Sequence, residues 1–310
     1  MSENKTAPNA QPQQQGDIFN QPQPTAQPQA TPNVAQPAPT ALATKQNYGI
    51  ANLKEQLNVP ATIQSFRNLL GEKGANRFMS ALINIVGGSE TLKKADTTSI
   101  ILAAGQSAAL NLPLNPSLGF AAVVPYWDKK KKMYVAQFQP ERNGLVELCQ
   151  RSGKIKNLVN EIVYEGELVK ADRFHDEYDF SGTRTSNKVI GYMAYAKLTN
   201  GFEKTIFWDV QKVMAHAQRY SDNYRNKKGK WVEDFNSMAL KTVLKHLIQK
   251  YLPKTEELEL ALASDQAVFT HGEIGNAQPE YIDNNQRAER VEAIEVVEVD
   301  VDNVEAEEVK

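Results

Sequence analysis

The sequence predicts an α+β fold: a small antiparallel β-sheet with a β-hairpin, packed against helices and flanked by disordered N- and C-terminal tails. Three observations carry this. Helical periodicity fills residues 61–111 and returns after residue 209, with β-type runs between, an order that argues against a doubly wound sheet. Two of those runs flank a short polar break in the manner of a hairpin. The N-terminal end has too little to bury, and the C-terminal end, which could pass for a strand, alternates valine with mutually repelling carboxylates and lacks a partner.

Taken in order, residues 1–45 are dominated by Pro, Gln, Ala and Thr ("QPQPTAQPQATPNVAQPAPT") and have too little to bury. "ATIQSFRNLL" and "ANRFMSALINIVGG" read as two helices, the second ended by Gly87 and Gly88. "KADTTSIILAAGQSAALN" reads as a third, with Asp96 or Thr97 as N-cap, and "LPLNPSLG" breaks the pattern. "FAAVVPYW" and "MYVAQFQ", joined by "DKKKK", form the expected hairpin, and "ERNGLVELCQRSG" a short helix. "KIKNLVNEIVYEGE", "RFHDEYDF", "KVIGYMAYAKL" and "FEKTIFW" read as strands of an antiparallel sheet. "DVQKVMAHAQRYS" is helical and "DNYRNKKGK" a polar loop. In "SMALKTVLKHLIQKYLP", residues Leu240, Val243, Leu244, Leu247 and Tyr251 share one face of a further helix. The end of the chain, "VEAIEVVEVDVDNVEAEEVK", alternates valine with carboxylates and reads as a solvated tail. The expected organisation is a tail over 1–45, a single domain over 46–275 and an acidic tail over 276–310.

Composition narrows the function classes. No apolar run is long enough to span a bilayer, and the N-terminus has neither the cationic start nor the apolar core of a signal peptide. Cys149 is the only cysteine, which excludes an internal disulfide, suits a reducing cytoplasm and, with four scattered His, disfavours structural zinc. The net charge of −2 hides an asymmetry: residues 46–275 carry 30 Lys+Arg against 24 Asp+Glu, and residues 276–310 carry 3 against 11. A basic body with an acidic end suits a partner of nucleic acid, although such ends also serve simply as solubilisers. The acidic end is expected to compete for a basic groove, to dock a partner, or only to keep the protein in solution.

Catalytic motifs are missing. "GEKGANRF" has two glycines but no Lys-Ser/Thr pair after the second, which disfavours a P-loop ATPase, and no G-x-G-x-x-G, H-E-x-x-H or G-x-S-x-G occurs. The densest carboxylate cluster, Asp172, Asp176, Glu177 and Asp179 around His175, could hold Mg2+ for a nuclease or be plain solvated surface.

Cations interleave with aromatics in three places. At the hairpin, Lys129 to Lys132 are flanked by Tyr126, Trp127, Tyr134 and Phe138. A single strand needs cations for phosphates and rings for bases, but sheet aromatics also fill cores. In "QRYSDNYRNKKGKW", Arg219, Tyr220, Tyr224, Arg225, Lys227, Lys228, Lys230 and Trp231 crowd one loop, which could close over a backbone or serve as a soluble connector. On the helix after Trp231, Lys241 and Lys245 sit four apart beside the apolar stripe, with Lys250 toward its other edge. Like charges at that spacing cost an isolated helix roughly 0.2–0.5 kcal/mol. Either a phosphate chain compensates them or their stems snorkel over the core.

"QFQPERNGLVELCQRSGKI", "GYMAYAKLTNGFEKTIFW" and "FNSMALKTVLKHLIQKYLP", with "LNLPLNPSLGFAAVVPY" upstream, resemble the RecT family of phage single-strand annealing proteins, in the expected order over residues 50–255. The resemblance implies a small antiparallel sheet backed by a helix, with DNA in a narrow basic groove. It implies annealing of complementary strands in recombination without a catalytic site, cofactor or ATP, with Mg2+ only a modulator of DNA binding. Implied partners are single-stranded and annealed duplex DNA, further copies of the chain in rings or helical filaments, a phage exonuclease and a host single-strand binding protein. On this expectation Lys241, Lys245, Arg219, Lys197 and Lys204 hold the sugar-phosphate backbone, and Arg142, Tyr126, Trp127 and Lys130 complete the candidate set. Rival readings are an RNA-binding module, which the same cations and rings would serve, and the Mg2+-dependent nuclease.

Overall fold

The computed structural model describes residues 47–175 and 177–281. The expectations for residues 1–45, for Asp176 and for the acidic end beyond residue 281 lie outside them. The architecture is α+β, with helices laid over small antiparallel sheets. Among the described residues no helix is long and apolar enough to cross a membrane.

The first helices among the described residues are α1 (Ile50–Leu57) and α2 (Pro60–Gly87), the latter opened by a proline in its first turn, where the missing N–H costs nothing. The two helices expected over this region are one run broken at Gly71, whose φ of 69° and ψ of 169° suit a residue without Cβ. Next, α3 (Thr97–Ala109) is capped by Asp96, whose carboxylate accepts from the Ser99 N–H at 2.8 Å. This helix is almost wholly buried, and its Ser99 hydroxyl accepts from the Ala136 N–H at 2.9 Å. That bond fastens α3 to the hairpin of β1 (Ala121–Asp128) and β2 (Met133–Pro140), paired from Ala121–Pro140 to Asp128–Met133.

α4 (Arg142–Arg151) then carries the chain from the hairpin to a second sheet. Its first turn presses on the segment before β1: Glu141 N–H donates to the Phe120 carbonyl at 2.9 Å, and Asn143 Nδ2 to the Leu118 carbonyl at 2.8 Å. The helix buries Cys149, and loss of water pushes that thiol up to about 12. A thiol held neutral and covered is a poor nucleophile. Iodoacetamide at pH 8 is therefore expected to label Cys149 only as fast as the protein unfolds; rapid labelling of the native protein would contradict this burial.

The second sheet pairs β3 (Ile155–Tyr164), β6 (Val189–Leu198) and β7 (Glu203–Asp209) in the order 3-6-7. "RFHDEYDF" does not join it. Its Glu177–Asp179 segment, β5, pairs instead with β4 (Lys170–Asp172), the residues just before it, in a two-stranded ribbon, because the turn at 173–175 reverses the chain. Nor is there one sheet. The hairpin recruits the two-residue β8 (Ala267–Val268) along β2 and stays separate from β3, since α4 stands between them in sequence and carries the chain away.

After β7 come α5 (Val210–Tyr220), the single-turn helices α6 (Asp222–Arg225) and α7 (Lys230–Glu233), and the long α8 (Phe235–Tyr251). The loop expected over 222–230 thus contains a helical turn, capped by the Ser221 hydroxyl accepting from Tyr224 N–H at 3.2 Å. The apolar stripe of α8 faces β6: Val243, Leu244, Leu247 and Ile248 are buried, as are Tyr192, Ala194 and Ala196 of the strand. Small residues on the strand allow the helix to lie close, and Tyr192 spends its hydroxyl on Asn236 at 2.6 Å. α9 (Glu256–Ser264) leads into β8, and backbone pairing continues past residue 275, where Val268 and Glu280 exchange hydrogen bonds at 2.9 and 2.8 Å.

Candidate nucleic-acid interface

The sequence candidates separate into four places. At the hairpin tip, the buried Asp128 carboxylate accepts from the Lys130 and Lys131 N–H groups at 2.8 and 3.0 Å, which sets the turn. Lys132 closes it with a left-handed φ of 52°. All four lysines are exposed, and Lys131 Nζ lies 3.4 Å from Glu280. Trp127 is 44% exposed, its ring edge-on to Tyr134 at 4.9 Å, while Tyr126 is half-buried. Here cations and an accessible ring do share one projection.

The second place answers why Lys241 and Lys245 tolerate each other. Asp265, at the corner between α9 and β8, lies between them: it pairs with Lys245, and its other oxygen is 4.0 Å from Lys241 Nζ. Glu141, before α4, adds a second carboxylate 3.7 Å from Lys241 Nζ. Lys241 is only 7% exposed and Asp265 5%. Two carboxylates of the protein itself thus supply the compensation expected of phosphate. Arg142, next to Glu141, donates from Nε to Asn160 Oδ1 and from Nη2 to the Asn160 carbonyl, each at 2.7 Å. Asn160 in turn donates to the Met193 carbonyl at 3.0 Å, so this chain ties α4 to β3 and β6. Sequence spacing could show the lysines but not a carboxylate twenty residues downstream.

At the third place, the hairpin end of β6 and β7, Lys197 pairs with Glu203, which also accepts from Tyr195 at 2.7 Å. Lys204 Nζ sits 4.7 Å over the Tyr251 ring, which Lys250 also approaches, at 5.5 Å. Fourth, Arg219 is exposed near the end of α5, its guanidinium 5.3 Å over Tyr220. In the expected metal cluster, His175 Nδ1 and Asp172 lie 2.7 Å apart and bond to each other. Among the described residues no three His, Cys, Asp or Glu side chains gather as metal ligands would.

The fold also assembles a group that the sequence candidates do not include. Lys212 in the first turn of α5 holds its Nζ 4.7 Å over the Trp208 ring, and His246 of α8 packs on that ring at 4.9 Å. Burial lowers the proton affinity of His246, and Lys250 and Lys212 lower it further. Burial likewise depresses Lys212, with Asp209 opposing and Arg173 and Lys250 reinforcing the fall. The group's members, Trp208 of β7, Lys212 of α5 and His246 of α8, come from three different elements, which no local pattern joins.

Comparison with known proteins gives a consistent result. The family model described as "RecT family" matches residues 76–296. The chain is 33% identical over 227 residues to the uncharacterized protein YqaK of Bacillus subtilis (strain 168), covering 73% of this chain and 76% of that one. It is 28% identical over 187 residues to protein RecT of Escherichia coli (strain K12), covering 56% and 65% of the two chains.

Proposed function

Because the chain belongs to the RecT family of single-strand annealing recombination proteins, we propose that it binds single-stranded DNA through its backbone and pairs complementary strands without ATP. The family match, which runs through both sheets and α8, is the observation that carries this reading. The hairpin tip supports it, because four exposed lysines beside the accessible Trp127 offer both phosphate contact and a stacking surface. Cations that touch only phosphate and sugar fix the strand without reading it, so sequence choice is left to Watson–Crick pairing. No step then needs a nucleophile, a metal or nucleotide hydrolysis. Further copies of the chain along the strand would lengthen the bound tract, and a nuclease that exposes single strands would supply the substrate in the cytoplasm.

The test is annealing of two complementary dye-labelled oligonucleotides followed by energy transfer. The purified full chain is expected to accelerate pairing many-fold over the spontaneous rate, equally with and without ATP. Acceleration only on adding ATP, or none at all, would refute the proposal.

A further inference from the structure

We propose that the chain's own acidic run, residues 291–309, binds the hairpin tip at Lys129–Lys132 and keeps it closed to DNA until a phosphate chain displaces it. The inference rests on the annealing reading above and adds regulation to the surface that supports that reading.

The first observation is a contact already made. Glu280 belongs to the acidic end of the chain, and its carboxylate lies 3.4 Å from Lys131 Nζ. Several bonds hold it there. Val268 and Glu280 exchange backbone hydrogen bonds at 2.9 and 2.8 Å, and the Thr270 hydroxyl donates to Glu280 Oε2 at 3.0 Å. Just before it, residues 274–277 lie on α3. The Gln106 side chain donates to the Ala277 carbonyl at 3.5 Å. Gly105 leaves the room that Ile274 fills, since a Cβ there would stand 2.7 Å from Ile274 Cγ2 and 2.9 Å from the Gly275 nitrogen. The fold thus delivers the start of the acidic end to the hairpin tip.

The second observation is the charge left over. Asp128, the carboxylate of the turn itself, is buried and faces the backbone N–H groups of Lys130 and Lys131. Among the described residues Glu280 is the one acid in ion-pair contact with a tip ammonium. A single exposed pair contributes little and leaves like charges side by side along the turn. The chain carries the missing charge a short way on: residues 291–309 hold eight carboxylates and no Lys or Arg.

The third is reach. Nine residues separate Tyr281 from Val291. Such a connection spans up to ~30 Å, more than the ~26 Å of a hairpin strand the length of β2, so the run can reach any point of the tip. Joined so closely to its target, it acts at an effective concentration on the order of millimolar, which the same run of a second copy would have to exceed to take its place. Each lysine–carboxylate contact is weak and screened by salt, so the run competes best at low ionic strength. A longer phosphate chain, with bases to lay on Trp127, displaces it.

Two measurements on the full chain test this. The first needs no DNA: a carbodiimide, which joins an amine to a carboxylate only where they touch, is applied to a mixture of isotopically light and heavy protein and the peptides are weighed. Cross-links are expected within one chain from Lys129–Lys132 to acids between residues 292 and 308, with Lys131–Glu280 as the internal standard. Cross-links confined to Glu280, or joining light chains to heavy ones, would overturn the proposal. The second titrates a dye-labelled oligothymidylate, which cannot pair with itself, by anisotropy at several salt concentrations. Converting the run to amides (Glu292→Gln and the seven equivalent changes) is expected to tighten binding about tenfold at low salt, as four ordinary exposed ion pairs would, with the gain fading as salt rises. With the tip also neutralised, Lys129→Gln to Lys132→Gln, the same conversion should gain less than about twofold. An equal gain in both backgrounds would mean that the run repels DNA at a distance and does not occupy the tip. If the unaltered chain anneals complementary strands and conversion of the run leaves its affinity unchanged, the regulation is wrong and the annealing reading stands. If the unaltered chain neither binds nor anneals, the annealing reading falls and the regulation with it.

Discussion

Asp265→Ala is expected to destabilise the fold by about 3–5 kcal/mol, the range for removing one partner of a buried charge group. The carboxylate is 5% exposed and serves two lysines at once. Without it, Lys241 keeps only Glu141 at 3.7 Å, in a site 7% exposed that water cannot readily enter. The loss should appear as a lower urea midpoint with an unchanged slope. Glu203→Ala removes a carboxylate from Lys197 at an accessible edge and should barely move the same midpoint. Equal midpoints for the two variants would show that the corner is not a stabilising lock. It follows that Lys241→Ala and Lys245→Ala disturb this corner before they can report on DNA, so binding data for them need a stability measurement alongside.

Gly144→Ala should destabilise by about 3 kcal/mol, at the upper end of overpacking costs. Helix propensity alone predicts the opposite sign, since alanine in a helix interior is favoured over glycine by ~1 kcal/mol. The obstacle is backbone. A Cβ at 144 would overlap the Phe120 carbonyl oxygen and sit 2.9 Å from the carbonyl carbon. That carbonyl cannot easily withdraw, because it accepts the Glu141 N–H, and the Asn143 side chain grips Leu118 two residues earlier. Gly87→Ala, in the last turn of α2, meets nothing within 4 Å and serves as the control. Its midpoint is expected to stay or rise while that of Gly144→Ala falls; matching midpoints would contradict the close approach of α4 to residue 120.

Much of the fold is legible in the sequence because local signals and tertiary structure agree. Asp96 caps α3 as its position before the apolar run suggests, and the lysine break gives the β1–β2 register. What stays hidden depends on partners distant in sequence. β8 has two residues and exists only by pairing with Gln137 and Phe138, so no periodicity could announce it. α1 and α9 are short, eight and nine residues, and offer too few turns for a repeating apolar face to stand out. "RFHDEYDF" carries strand-like residues, yet its chain reversal at 173–175 is set by Asp172 accepting the N–H groups of Phe174 and His175. The candidate site divides the same way. The hairpin tip is readable from a run of lysines, whereas the burial of Lys241 and the packing of Lys212 and His246 on Trp208 are products of the fold.

The charged corner of Asp265, Glu141, Lys241 and Lys245 sets how the molecule responds to its medium. Mobile ions weaken attractions at the surface but scarcely reach charges sealed from solvent. The hairpin lysines are open to the electrolyte, whereas Lys241 and Asp265 are not. Brine strong enough to strip a polyanion from the exterior would therefore leave the internal rivet between α8 and the α9–β8 corner closed, so the protein could let go of its cargo without loosening its own frame.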